Sequence, residues 1–140
     1  MSILTGIYSK LAANTAVTTL TSTRIYPHEA PSSAALPYIT FYQISGPHAH
    51  HMLAAAGMTE PRVQIDSWDD DALGAETLAD KVRLAMDGFR GTMGSVSVRM
   101  CHLDDEATDF FDKAHSSREG GIFRKRQDYM IWHTETVPTF

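Results

Sequence analysis

The sequence predicts a single α+β domain in the order α-β-β-α-β-β, with a mostly antiparallel sheet and helices packed on one face. Three observations lead there. Ala75, Leu78, Ala79, Val82 and Met86 recur at three- and four-residue steps, the signature of one apolar helix face. Beyond Gly94 the period shortens to two, with Val96, Val98 and Met100 alternating with Ser95, Ser97 and Arg99. Tyr38 to Ser45 is rich in aromatic and β-branched residues and is the clearest strand signal in the chain.

The elements follow in order. Ser2 or Thr5 caps a first helix reaching about Asn14, with Leu4, Ile7, Tyr8 and Leu11 as its apolar stripe. Thr15 to Leu20 reads as a second short turn of helix, against its threonine density. Arg24 to Pro27 is a short extended piece, because Pro27 removes a donor and pushes Tyr26 out of the helical region. Pro31 to Ala35 forms a loop, Leu36-Pro37 leads into the strand at 38–45, and Gly46-Pro47 ends it. Residues 47–58 are expected to be a loop or a turn of helix. Arg62 to Trp68 alternates as a second strand, so the pair reads as a long-looped hairpin.

Asp69-Asp70-Asp71 supplies a cap and negative charge at the start of the main helix, about Ala72 to Asp87. Gly88 can take the left-handed conformation that closes it, and Phe89 can fold back on the last turn. A third strand is expected over about Ser95 to Leu103, then a long polar loop over 104–121. The last strand covers about Ile122 to Thr134. Phe123, Tyr129 and Ile131 share one face of it, and Arg124, Arg126, Asp128 and Trp132 the other. Residues 135–140 form a short tail.

A chain of 140 residues fits one domain and buries roughly 68% of its unfolded surface, so it needs no metal or disulfide staple. The net charge of -5 weighs against a duplex-binding protein, which more often carries a basic stripe. The single cysteine, Cys101, excludes an intrachain disulfide and is expected to be a small buried residue. No stretch approaches the ~20 apolar residues of a membrane helix, so synthesis and folding in cytoplasm are expected.

His48, His50 and His51 are the one cluster resembling metal ligands, with a later carboxylate such as Asp66. Spacing of i and i+2 in a loop is not a metal signature, so His48, His50, His51 and Met52 are read as an exposed partner-contact loop. No Gly-x-Ser-x-Gly elbow, phosphate-cradling loop or paired carboxylates with acid and base roles are found. No catalysis, metal or cofactor is expected. Arg118, Arg124, Lys125 and Arg126 form a basic cluster, and Asp104, Asp105, Glu106 and Asp109 an acidic one. Two readings stay open: complementary patches between copies, or solvated charge. Trp68 and Trp132 are either surface anchors or the finish of the core.

A set of short motifs carries a family likeness. Arg24-Ile25-Tyr26-Pro27, Leu36-Pro37-Tyr38-Ile39, Ile44-Ser45-Gly46, Val63-Gln64-Ile65-Asp66, Asp87-Gly88-Phe89 with Gly91, Leu103-Asp104-Asp105 and Gln127-Asp128-Tyr129 follow in order. From about Leu4 to His133 the chain resembles the tail completion, or tail-terminator, family of long-tailed phages and gene transfer agents. The resemblance implies a non-enzymatic virion protein of the tail or neck, assembled in the host bacterial cytoplasm. It implies a ring, usually six-fold, on the last ring of the tail tube. Such a ring stops tube growth, faces a head-side connector and lets DNA pass through its lumen. Residues 48–58 depart most from the family pattern.

Overall fold

The computed structural model describes residues 2–52, 54–111 and 121–140. Two helices open the chain, α1 (Ile3–Ala12) and α2 (Thr15–Thr21). Ser2 is the first cap, its Oγ accepting from the Thr5 N–H at 3.3 Å. Asn14 caps α2 through Oδ1, which accepts from the Val17 N–H at 3.1 Å. These caps satisfy amide donors that the first turn of a helix leaves open, and they explain why the threonine-rich segment still winds. Strands β1 (Ile25–Pro27) and β2 (Tyr38–Ser45) follow and pair in parallel.

Next come β3 (His48–His51), β4 (Ala54–Thr59) and β5 (Arg62–Asp69). The expected loop at 47–58 is instead strand. β3 pairs antiparallel with β4, and β2 pairs antiparallel with β5. The long loop of the predicted hairpin is therefore its outer half, offset by a bulge near Gln43 and Ser45. Exposure on both faces of β3 removed the alternating pattern that marks a strand there.

Helix α3 (Ala72–Met86) begins at the Asp71 cap, whose carboxylate accepts from the Gly74 N–H at 3.1 Å. It buries the predicted face: Ala75, Leu78, Ala79, Val82 and Met86. Asp87 leaves the helix in an extended conformation, and Gly88 follows at φ 81. The Phe89 N–H then donates back to the Met86 carbonyl at 3.1 Å. Strands β6 (Gly91–Met93), β7 (Val96–Phe111) and β8 (Ile122–Thr134) complete the chain.

β7 corrects the sequence reading twice. A bulge between Val98 and Met100 shifts the alternation by one residue. Cys101, not Met100, therefore joins Val96 and Val98 in the core, and Met100 is 41% exposed. The strand also runs through Asp104, Asp105, Glu106 and Asp109, where a polar loop was expected. Pairing with β8 holds these residues extended: Asp105 lies opposite Asp128, Glu106 opposite Gln127 and Asp109 opposite Arg124. The rest of the expected loop, Arg118 included, lies outside the described residues.

One sheet results, with strand order β1-β2-β5-β8-β4-β3, and β7 on the remaining edge of β8. Apart from the β1–β2 pair all its neighbours are antiparallel. The helices cover one face. Ile7, Leu11, Leu78, Val82 and Met86 meet Ile39, Phe41, Val63, Ile65, Tyr129 and Ile131 there. Gly6 lets α1 cross tightly, since a Cβ on it would lie 2.7 Å from the Met93 carbonyl oxygen.

A buried polar relay ties α3 to the sheet. The Gln127 amide donates to the Ala79 carbonyl at 3.1 Å, and the Tyr129 hydroxyl donates to Gln127 Oε1 at 3.2 Å. Tyr129→Phe removes that donor and leaves a buried oxygen unpaired. It should lower unfolding free energy by about 1–2 kcal/mol, read as a lower urea midpoint with an unchanged slope.

Candidate functional site

The sheet face away from the helices carries most of the residues that chemistry singles out. Strand alternation places Tyr38, Thr40, Tyr42, Gln64, Asp66, Trp68, Arg124, Arg126 and Asp128 there, because their neighbours point into the core. The register brings them into rows. Tyr38 lies beside Trp68, then Arg124, then Asp109. Thr40 lies beside Asp66, then Arg126. Tyr42 lies beside Gln64, then Asp128, then Asp105.

The first row is an aromatic stack. Ring centroids are 5.9 Å apart for Tyr38–Trp68 and 5.8 Å for Trp68–Phe111. Tyr26 adds an edge contact to Tyr38 at 6.0 Å. The Trp68 Nε1–H donates to Thr40 Oγ1 at 2.9 Å, which fixes the ring. The Arg124 guanidinium sits 5.5 Å from the Trp68 centroid and 5.2 Å from that of Phe111. It also donates to Asp109 Oδ2 at 2.7 Å and 3.1 Å. Trp68 is thus half-buried in a stack, while Trp132 lies at the other end of β8, 38% exposed and opposite Met100.

The acidic and basic clusters meet inside one chain. Besides Arg124–Asp109, Lys125 lies 3.9 Å from Glu106, and Arg62 bridges Asp104 at 2.7 Å and Asp128 at 3.0 Å. Asp105 is different: it stands opposite Asp128, like charge against like, with no ion pair among the described residues.

Asp66 is the residue whose position the sequence reading missed. The sequence offered it only as a carboxylate that could join the histidines, yet it is 2% exposed beneath the side chains of this face. The Gln64 amide donates to its Oδ1 at 2.8 Å. Burial pushes its carboxyl from 3.8 up to about 6, with a further push from Asp128, although Gln64, Arg124 and Arg126 pull the other way.

The histidines lie at the far end of the sheet. His48 Nδ1 is 2.7 Å from the Glu135 carboxylate, His50 and His51 are exposed on β3, and Met52 is 99% exposed beside them. Asp66 lies in mid-sheet, bonded to Gln64. Among the described residues no three His, Cys, Asp or Glu side chains converge to hold a metal. A groove of about 520 Å³ runs past Ser2, Gln43, His48, His133 and Glu135. Cys101 is fully buried, and burial pushes its thiol up to about 12, so it is not a nucleophile at neutral pH.

Comparison with known proteins adds to this geometry. The family model described as tail completion protein gp17 matches residues 5–134. A chain of a solved structure titled "Virion of native gene transfer agent (GTA) particle" superposes with a TM-score of 0.74 at 15% identity. The match covers 91% of each chain. No curated protein matches this chain.

Asp66 sets a pH dependence. Its folded value of about 6 lies above the unfolded 3.8, so its ionisation opposes folding above that window and costs nothing below it. Asp66→Asn should therefore raise unfolding free energy at pH 7.5 by at most about 3 kcal/mol. Denaturant titrations should show that gain shrinking toward zero near pH 4.

Proposed function

The chain belongs to the tail completion protein gp17 family, and from that membership we propose that it forms a ring, six-fold, at the head-proximal end of a phage tail tube. The coarse role is given by the family: a structural phage protein of the tail or neck that works by assembly with other virion proteins. The ring, the arrest of tube growth and the bridge to a head-side connector are the proposal. The likeness to a chain from a gene transfer agent virion agrees with it at the level of fold.

The observation that supports the ring best is the arrangement of the two hairpins. β4 reaches the end of β8 at Thr134, while β7 and β8 stay paired to Phe111 and Ile122 at the opposite end. The molecule thus offers two different extremities. A closed ring needs two unlike surfaces that fit each other head to tail, and a two-fold dimer needs only one. In this reading Trp132, Asp105, Arg126 and the His50, His51 and Met52 arm supply contacts between subunits. Trp68, Arg124, Asp104, Glu106 and Asp109 first brace the face that carries them. The partners are further copies of this chain, the tail-tube protein and the connector, with DNA passing through the lumen without sequence readout.

The test is assembly. Purified protein is added to polymerising tail-tube protein from the same genomic cluster, and tube ends are viewed by electron microscopy. Rings should cap one end of each tube and shorten the length distribution. Undecorated ends and unaltered lengths would overturn termination and move the protein to the head side of the neck.

A further inference from the structure

We propose that neighbouring copies join by strand pairing, the outer edge of β7 over 104–111 in one copy receiving β3 of the next. The inference rests on the ring reading above and names the contact that closes it.

The free edge begins where the acids begin. Near its start, β7 is occupied: β6 pairs with Val96 to Val98, the Gly88 N–H donates to the Cys101 carbonyl at 2.7 Å, and the Leu103 N–H donates to Asp87 Oδ1 at 2.9 Å. From Asp104 to Phe111 the strand pairs only with β8 among the described residues. An open edge of that length is a template for another strand. Asp105, the one of its four acids with no ion pair among the described residues, decides which one. Two such edges brought together would set carboxylate against carboxylate, so β7 is guarded against pairing with itself.

What remains is an unlike edge. β1 is three residues long, ends at Pro27, which has no N–H, and is followed by His28 at φ 65. β3 ends the other side of the strand order and pairs only with β4 among the described residues. It carries three histidines and no carboxylate. His48 is already held by Glu135, so the exposed His50, whose imidazole offers at least one N–H donor, is the group that meets the acidic edge. Asp105 gains from such a neighbour, since it faces Asp128, whose Oδ1 is buried with no partner among the described residues.

Cross-linking tests the pairing. Asp105→Cys and His50→Cys change exposed positions, and the buried Cys101 serves as an unreactive control. The chains are treated with a short bismaleimide, alone and on tail-tube ends. A mixture of the two variants should give a mixed cross-linked dimer, a chain carrying both changes should give a ladder, and neither variant alone should react. His50→Glu should abolish the oligomer, and adding Asp105→Lys should restore it. Cross-linking of Asp105→Cys with itself would overturn the proposal. Rings without the mixed cross-link would overturn this edge assignment and leave the ring standing. Absence of any oligomer, with or without tubes, would overturn both.

Discussion

Strand β8 is the constraint on which the rest of the molecule depends. One of its edges carries β5 from Phe123 to Met130 and then β4 at His133 and Thr134. Its other edge carries β7 from Ile122 to His133. Both long hairpins are therefore registered on one strand. Its inward side chains, Gln127, Tyr129 and Ile131, hold α3 and the core, and its outward ones, Arg124, Arg126 and Asp128, form the middle of the open face, with Trp132 at its margin. A one-residue slip here would exchange those two sets. The buried Gln127 relay and the Arg124–Asp109 bridge both resist such a slip, one on each face.

Much of this was legible in the sequence. Helix α3 declared itself through its apolar period and its Asp71 cap, and β8 matched its expected limits, because each buries one face only. Legibility failed where burial stops being periodic. β3 is exposed along nearly all its length, so no apolar alternation marks it as strand. The acidic half of β7 has the composition of a loop and becomes strand through pairing with β8, a long-range cause that local pattern does not carry. Met100 was misassigned for a third reason, a bulge that only the register reveals.

The open face shows how charge was spent. Taken alone, the sequence left the acidic and basic clusters open as patches for contact between copies. Their closest pairs are instead internal: Arg124 with Asp109, Arg62 with Asp104 and Asp128, Lys125 near Glu106. Partly exposed pairs of this kind add little stability individually, but they fix β7 and β8 in register and order the rings of Trp68 and Phe111 beneath Arg124. Asp66 runs against stability on the same face, held buried among polar neighbours. The surface left for contact between copies lies at the margins, on Trp132 and Met100, on Asp105 and on the β3–β4 arm.

Backbone hydrogen exchange, compared between the free chain and the chain assembled on tail tubes, addresses the central claim that this sheet works through its margins. Amides of β8 should be protected in both states, since both edges of that strand are paired within the chain. Amides of β3 and of β7 over 104–111 should exchange freely alone and become protected on assembly. New protection confined to the outer face of α3, with both strand edges still exchanging, would contradict it.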